Sequence, residues 1–299
     1  MTAWVRVLRY TRTMDALAES LASRAPAGSG WEARLDLSFL RDASRTVLAD
    51  RRHRGPLRVQ KALYPEGPEI CQAIIVHPPA GIVGGDRLAI AIDVGARAHA
   101  QITTPGAAKW YRSAGADAVA STKLAVGSGS VLEWLPQESL LFDGARAAIT
   151  LRIDLAADAR FIGWDIVGLG RIASGERFAS GRLHQTVELW HAGALAWCER
   201  AVLDGDSAAL QSGAVLSGEP VFGTMIVAGA AVGDALLATC RAIAGTSDGA
   251  SVTRLPHALV ARYRGDSAPA ARAYFALQWN ALRPTLVGRA AVSPRIWST

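Results

Sequence analysis

Alternation of apolar and polar residues predicts β-strands along most of this chain. In "RLDLSFL" (34–40), the side chains of Leu35, Leu37 and Phe39 fall on one face. A period of two with a polar opposite face is typical of half-buried strands. Glycine-rich segments between such runs indicate turns at short spacing. The same alternation recurs in "RLAIAIDV" (87–94), "AITLRIDL" (148–155) and "RLHQTVELW" (182–190).

Helical spacing appears only late in the chain. "GDALLATCRAIAG" (233–245) carries apolar residues at helical spacing and closes on a glycine. "SAPAARAYFALQWNALRP" (267–284) is the stronger segment: Ser267 can cap it and Pro269 suits its first turn. We expect Pro284 to end this second helix.

The order of these elements predicts the fold class. Strand follows strand without interleaved helices, which argues against a Rossmann-type sheet. "SVTRLPHALVARYRG" (251–265) predicts one more strand pair between the two helices. We therefore expect a mainly β fold: a single domain of packed β-sheets with a few helices, chiefly near the C-terminus. We assign residues 1–30 to an N-terminal extension and residues 31–299 to the domain, and we recognise no internal repeat.

Composition narrows the class further. Half of the 299 residues are hydrophobic and 19% are charged, which excludes a disordered chain. The formal charge is +6, but the basic residues are dispersed apart from "RRHR" (51–54), so we expect no nucleic acid. The basic surface either meets an acidic partner protein or simply aids solubility. No apolar run could span a bilayer, and the N-terminus lacks the apolar region of a secretory signal. Three separated cysteines suit a reducing compartment, so we expect a cytoplasmic protein with no membrane contact: Cys71, Cys198 and Cys240.

The segment "HPPAGIVGGDRL" (77–88) is the densest motif. It is no phosphate loop, because GxxxxGK[ST] is absent and its glycines precede a strand rather than a helix. One interpretation is a metal-dependent hydrolase that uses His77, Asp86 and His99, although their spacing matches no common metal motif.

Backbone geometry offers a second interpretation of this segment. Pro78 and Pro79 hold the chain extended and withhold two backbone donors. Asp86 can accept hydrogen bonds from amides of the loop. Positive φ is open to the three glycines, Gly81, Gly84 and Gly85.

Four segments in this order resemble the urease accessory protein D family, called UreD or UreH. The resemblance runs from about Trp31 to the C-terminal "PRIW". The segments are "HPPAGIVGGDRL", "QITTPGAAKWYRSAG" (101–115), "LEWLPQESLLFDGARA" (132–147) and "GWDIVGLGRIASGERFASGRL" (163–183). The motif residues are His77, Pro78, Pro79, Gly81, Gly84, Gly85, Asp86, Thr103, Thr104, Lys109, Tyr111, Arg112, Glu133, Pro136, Glu138, Gly170, Arg171, Gly175 and Glu176.

The resemblance implies a mainly β protein that is not an enzyme. Members of this family bind apo-urease together with UreF and the GTPase UreG, and the assembly delivers nickel to the urease active site. The resemblance implies no tightly bound cofactor but transient Ni²⁺, which crosses an internal polar passage. The missing phosphate loop agrees with this division of labour, because UreG would hydrolyse the GTP.

A conduit must release its ion, so scattered oxygen ligands suit it better than a closed cage. The acidic residues inside the motifs are Asp86, Glu133, Glu138, Asp143, Asp165 and Glu176. We rank Glu176, Asp165 and Glu138 highest for lining the passage, with Asp86 after them, because an unpaired carboxylate among apolar or glycine residues is costly. The alternative for each is an internal salt bridge, for which four cations lie close in sequence: Lys109, Arg112, Arg171 and Arg177.

Two further questions stay open in the sequence. Tyr274, Phe275 and Trp279 of the second helix could contact UreF or could equally be buried against their own sheet. His184 and His191 could bind nickel weakly at the surface or could simply be solvated.

Overall fold

The structure, a computed structural model, describes residues 30–79 and 81–298, and the predicted extension lies outside this range except for Gly30. Its strands are β1 (Glu32–Asp42), β2 (Arg45–Arg54), β3 (Arg58–Val59), β4 (Ile70–Val76), β5 (Gly81–Ile82), β6 (Arg87–Val94), β7 (His99–Thr103), β8 (Ala108–Trp110), β9 (Ala118–Val126), β10 (Val131–Leu135), β11 (Ser139–Leu141), β12 (Arg146–Leu155), β13 (Arg160–Leu169), β14 (Arg182–His191), β15 (Ala194–Asp204), β16 (Val221–Ala228), β17 (Ala250–Arg254) and β18 (Ala258–Gly265). The α-helices are α1 (Asp234–Ala244) and α2 (Ala268–Val287), and the 3₁₀ helices are Ile172–Ser174, Ala208–Gln211 and Arg295–Ser298. The predicted mainly β class with late helices is confirmed.

From β4 to β14 the chain winds as a solenoid-like coil between two sheets. Each coil places one strand in the second sheet and one in the first sheet. The first three coils have a two- or three-residue strand at the side, and the last has the 3₁₀ helix Ile172–Ser174 there. Ile70, His99, Val131 and Arg160 lie side by side on successive parallel strands, so one coil takes about 30 residues. The coil therefore brings residues far apart in sequence into fixed lateral register.

Further strands extend both sheets beyond the coil: β1 joins β6 in parallel, and the others pair antiparallel. The first sheet has the order β15-β14-β12-β9-β6-β1-β2, and the second has the order β17-β18-β16-β13-β10-β7-β4-β3, with β5, β8 and β11 attached at its side. The predicted strand pair at 251–265 is present as β17 and β18.

The repeating coil contradicts the absence of a repeat in the sequence analysis. Each coil needs only an apolar inner face on each strand, and many side chains satisfy that requirement. Loop length and loop residues differ from coil to coil, so the structural repeat leaves no matching residues at a fixed spacing.

The motif at 77–88 connects the two sheets. β4 before it lies in the second sheet, whereas β6 after it lies in the first sheet. The loop therefore carries the chain from one sheet to the other, and β5 within it pairs in parallel with β8 of the next coil.

Two apolar cores lie on opposite faces of the second sheet. The larger core fills the space between the sheets and includes Leu35 and Phe39 of β1 and Leu132 of β10, none of them measurably exposed. The smaller core lies between the second sheet and the two α-helices and includes Phe275 and Trp279. β13 contacts both cores, which explains its nearly continuous apolar sequence, since a strand covered on both faces loses the alternating pattern.

Helix α2 begins as predicted but ends later. The hydroxyl of Ser267 accepts a hydrogen bond from the amide of Ala270 at 3.3 Å, as an N-cap does. Pro284 does not end the helix, which continues to Val287 and stops at Gly288 with a φ of 76°. Leu286, beyond the proline, is fully buried, and this burial offsets the backbone hydrogen bond that proline cannot donate.

The open question about the α2 aromatics is settled for the isolated chain. Tyr274, Phe275 and Trp279 are at most 6% exposed and pack against the second sheet and its neighbours. Phe275 stacks on Trp164 of β13, with ring centroids 6.2 Å apart. These side chains therefore belong to the core rather than to an exposed partner surface.

Within residues 30–79 and 81–298, no helix is both long enough and apolar enough to cross a bilayer.

Candidate functional site: two buried carboxylates on one sheet

Asp165 interrupts the apolar sequence of β13 and faces the first sheet. Its carboxylate accepts a hydrogen bond from the Gln185 amide of β14 across the space between the sheets. The alternation of β14 explains this contact, because Gln185 shares its face with the core residues Leu183 and Val187.

A small polar cavity surrounds Asp165. It measures about 20 Å³, enough for one water molecule, and its polar lining comes from Asp165, Gln185, Glu199 and Thr224. The Thr224 hydroxyl donates to Glu199 at 3.2 Å, and Arg262 donates to the same carboxylate. The rest of the wall is formed mainly by apolar side chains of β12 to β16. One of the two carboxylates is therefore paired with an arginine, and the other is held by an amide.

Burial raises the pKa of Asp165 to about 6, with a further upward contribution from the negative charge of Glu199. The hydrogen bonds from Gln185 and from the Ile166 amide offset only part of this increase. None of these groups is a cation. Asp165 therefore takes up a proton more readily than an ordinary carboxyl group does.

The cavity has the chemistry of a weak cation site. Two carboxylates and the oxygens of Gln185 and Thr224 are hard ligands, and a water molecule could complete them. No group of three or more His, Cys, Asp or Glu side chains that could hold a metal ion occurs in the part of the chain that the structure describes.

Glu133 of β10 lies on the opposite face of the same sheet and is completely buried. The Arg283 guanidinium of α2 donates to it at 2.8 and 3.0 Å, and the Trp279 indole donates at 2.8 Å. His99 lies 2.8 Å away, and Gln101 donates at 3.4 Å. Each oxygen of Glu133 is therefore engaged by more than one partner.

This pairing reverses the effect of burial. Burial alone raises the pKa of Glu133, but the hydrogen bonds and charges of His99 and Arg283 lower it to about 2. Arg283 is also held by both carboxylate oxygens of Glu66, at 2.7 and 2.8 Å. Glu133 therefore fixes α2 to the second sheet.

Glu176 lies outside the space between the sheets. Arg171 binds its carboxylate at 2.7 and 3.0 Å, and the amides of Arg171 and Asp143 donate to its other oxygen. The side chain lies in the wall of an open surface groove of about 610 Å³. The internal salt bridge that was the alternative for Glu176 is present.

The other ranked acids are also engaged. Glu138 pairs with Arg272 of α2 at 2.9 Å. Asp86 is 3% exposed and accepts hydrogen bonds from the amides of Trp31 at 2.8 Å and Val83 at 2.9 Å, which confirms its predicted role in the loop. Asp143 pairs with Arg112, another of the predicted cations. Among the four ranked carboxylates, the inter-sheet cavity is lined by Asp165.

Comparison with known proteins identifies the chain's relatives. The family model of the UreD urease accessory protein matches residues 32–298. That match covers most of the chain. The chain belongs to the UreD urease accessory protein family. The predicted resemblance is confirmed.

Individual UreD proteins resemble the chain over most of their length. The urease accessory protein UreD of Dechloromonas aromatica (strain RCB) is 52% identical over 274 residues, covering 90% of this chain and 95% of that protein. The UreD protein of Azoarcus sp. (strain BH72) is 49% identical over 286 residues, covering 96% and 100%. The UreD protein of Pseudomonas aeruginosa PAO1 is 49% identical over 270 residues, covering 90% and 95%.

The glycines of the first UreD motif serve two different purposes. Gly85 has a φ of 96°, as predicted. Gly81 and Gly84 do not have positive φ, so that part of the prediction is wrong. A Cβ at Gly81 would collide with the Tyr111 ring, and one at Gly84 would collide with Ser113. These two glycines permit close approach between neighbouring coils.

The second and third UreD motifs tie coils together. Thr103 ends β7 and donates to the Leu135 carbonyl at 2.6 Å, and the Thr104 hydroxyl accepts from the Gln137 amide at 2.9 Å. The Pro136 carbonyl accepts from the Trp164 indole at 2.9 Å. These motif residues therefore maintain the lateral register of β7, β10 and β13.

The fourth UreD motif turns sharply after β13. Gly170 has a φ of 91° and Gly175 a φ of 73°, and a Cβ at Gly170 would collide with the Glu176 carbonyl. Together with the Arg171–Glu176 pair, these glycines fold the segment into the wall of the groove.

The hydrolase interpretation is not supported by the geometry of these UreD residues. His99 lies level with Ile70, seven residues before His77 along the direction of β4, which separates the two histidines by roughly 20 Å. His99 binds Glu133, and the oxygens of Asp86 are occupied by backbone amides. The three residues therefore do not share a metal ion.

Sequence reasoning missed the partners of both buried carboxylates. Gln185 was detectable, because it is a polar residue on the otherwise apolar face of β14. Glu199 and Thr224, like Arg283 and Glu66, come from distant segments, and no local pattern marks them. Glu133 was ranked below Asp165 for lining the passage, and it is the more completely paired of the two residues.

Proposed function

We propose that this chain is a non-enzymatic urease maturation factor that helps to load nickel into apo-urease. Family membership supports the role in urease maturation, since its relatives bear the name urease accessory protein UreD. The finer steps are our proposal: the chain binds apo-urease, acts with UreF and the GTPase UreG, and conducts nickel between them in the cytoplasm.

The single observation that carries the conducting role is the Asp165 cavity. Its carboxylate lies between the two sheets, has no cation among the groups that set its pKa, and faces a second carboxylate. A divalent ion that entered this space would meet oxygen ligands and would relieve the repulsion between Asp165 and Glu199. It would be held weakly, because protein ligands are few, and weak binding is what conduction requires.

The width of the cavity sets a physical condition on passage. At about 20 Å³ the space holds one water molecule, so a fully hydrated ion does not fit. The ion would exchange part of its hydration shell for the oxygens of Asp165, Glu199 and Thr224. Sheet motion or partner binding would have to widen the apolar parts of the wall.

The proposal is tested by co-expression with the urease subunits, UreF and UreG. The variants are Asp165→Ala and Asp165→Asn, and the measured quantities are nickel per urease active site and co-purification of the four proteins. We expect both variants to lower the nickel content at least about fivefold at limiting nickel while the complex stays intact.

A matched control is Asp154→Asn. Asp154 lies on neighbouring β12 but is paired with Arg152 at 2.8 Å, and its alternation places it on the outer face of the first sheet. The Asp154→Asn substitution should leave the nickel content of urease unchanged. Full nickel loading by Asp165→Ala would overturn the conducting role, and loss of the complex instead would make Asp165 a structural residue.

A second experiment uses Glu176→Ala, because the sequence analysis ranked Glu176 among the acids expected to line the passage. Because Arg171 and two backbone amides hold Glu176, we expect this variant to disturb the 170–180 segment and weaken complex formation. Reduced nickel with an intact complex would instead place Glu176 on the passage.

A further inference from the structure

Two histidines from different sheets meet at one end of the molecule. His191 is the last residue of β14 in the first sheet, and His257 lies in the turn between β17 and β18 of the second sheet. Their ring centroids are 5.3 Å apart and their planes differ by 26°. Nothing in the apolar core requires this contact, since His257 is exposed and His191 only half-buried.

The hydrogen bond of His191 selects its tautomer. Its Nε2 lies 3.1 Å from the carbonyl oxygen of Ala157, which can only accept, so Nε2 carries the proton. In the neutral ring this leaves a lone pair on Nδ1. A histidine that ligates a metal commonly donates its other N–H to a backbone carbonyl in this way.

The separation of the rings fits two imidazoles on one ion. Metal–nitrogen bonds of about 2.0–2.1 Å place each ring centre about 3.2 Å from the ion. At a tetrahedral angle, two such centres lie about 5 Å apart. The observed 5.3 Å is close to this value. The two rings are stacked with their planes 26° apart, so both side chains must rotate before their lone pairs meet at one point.

The surroundings leave room for further ligands. The histidines line an open pocket of about 510 Å³, whose wall includes residues 229–232. Arg254 also lies in this wall, but it pairs with Asp234 at 2.7 Å and donates to the Val232 carbonyl at 3.0 Å. Its charge is therefore largely balanced and does not exclude a cation from the pocket.

We propose that His191 and His257 form a labile binding site for a borderline divalent transition-metal ion such as Zn²⁺, Ni²⁺ or Cu²⁺. Imidazole is a favoured ligand for these ions, whereas Mg²⁺ and Ca²⁺ prefer oxygen. Water fills the remaining positions, since no third His, Cys, Asp or Glu joins the pair among residues 30–79 and 81–298. The ion links the β14–β15 hairpin to the β17–β18 hairpin.

This site is separate from the Asp165 cavity. His191 is six residues beyond Gln185 on β14, which corresponds to roughly 20 Å. The site does not rest on the proposed nickel-loading role and can be tested in the isolated full-length chain.

The test is a zinc titration of the full-length chain, prepared without a polyhistidine tag, against a chromophoric zinc indicator at pH 7.5. The chain has six histidines, so a matched histidine control is available. We expect one Zn²⁺ per wild-type chain, and at least about tenfold weaker binding in His191→Ala and in His257→Ala. The double variant should bind zinc about as weakly as either single variant, because one histidine alone does not hold the ion.

His53→Ala is the control, since His53 is an exposed histidine on the edge strand β2. It should bind zinc like the wild type. Because His257 is exposed, His257→Ala tests the site even where His191→Ala disturbs its hairpin. Absence of zinc binding by the wild-type chain, or unchanged binding in His257→Ala, overturns the proposal.

Copper provides a spectroscopic readout that a purely structural histidine pair would not give. Electron paramagnetic resonance of the chain with one equivalent of Cu²⁺ should show coupling to two imidazole nitrogens, and this signal should be lost in either single variant. A spectrum identical in the wild type and His257→Ala contradicts the site.

Discussion

Glu133 and Asp165 are two carboxylates on neighbouring strands of one sheet, yet their environments are opposite. Glu133 faces α2, and its pKa is lowered to about 2. Arg283 and Trp279 of α2 and His99 of β7 contact its carboxylate. Asp165 faces the first sheet, where Gln185 contacts it and Glu199 repels it, and its pKa is raised to about 6.

The difference shows that burial by itself does not decide what a carboxylate does. Desolvation pushes the pKa of both carboxyl groups upward, and the opposite net shifts come from their different partners. A carboxylate surrounded by donors stabilises the ionised form and fixes the fold. A carboxylate with one neutral donor and a negative neighbour takes up a proton or cation more readily, which is why we propose Asp165 for the nickel passage.

The largest expected effect comes from removing Glu133. Glu133→Ala leaves Arg283 buried with one carboxylate partner, Glu66, instead of two. We expect the free energy of unfolding to fall by about 3 kcal/mol, the lower end for breaking a buried pair. Urea unfolding followed by circular dichroism measures it.

The control for this change is Asp154→Asn, which removes a partly exposed salt bridge to Arg152. Its effect should stay below about 1 kcal/mol. Equal losses for Glu133→Ala and Asp154→Asn would show that the α2 contact is not fixed by Glu133.

The second effect is an opposite pH dependence at the two sites. The lowered pKa of Glu133 contributes stability that is present above about pH 4.5 and is lost as pH falls toward 2. The raised pKa of Asp165 acts in the other direction: its ionisation costs stability above pH 6, and this cost disappears as pH falls toward 4.

Asp165→Asn removes the carboxyl group and therefore isolates the stability cost of ionising it. The stability advantage of the variant over the wild type should shrink by about 2 kcal/mol between pH 8 and pH 4, because a shift of one unit corresponds to about 1.4 kcal/mol. Urea unfolding of both proteins across this range measures the difference. A constant difference would mean that Asp165 titrates at its ordinary pKa.

The smallest effect concerns the neighbour of Asp165. Glu199→Gln removes the negative charge that raises the pKa of Asp165, so that pKa should move down. The change should be less than about one unit, because burial is the larger cause. Titration of the Asp165 carboxyl carbon by NMR measures it, and an unchanged pKa would place the two groups out of electrostatic contact.

The sequence by itself determined the class of structure and the family. The alternating segments around Leu35, Ile92 and Ile153 are strands because a period of two buries one face whatever the strand's partner is. Ser267 caps α2 through a contact only three residues long. The four motifs are also local, and together they identified the UreD family before any contact was known.

Only the tertiary structure decided which strands are neighbours and what each buried acid meets. The coil leaves no repeat in the sequence. Pro284 predicted the end of α2, but the helix continues because Leu286 is buried in tertiary contacts. Arg283 reaches Glu133 from 150 residues away, and Gln185 reaches Asp165 from 20 residues away. The physical reason is that a carboxylate's pKa depends on groups within a few ångströms in space, which local sequence does not specify.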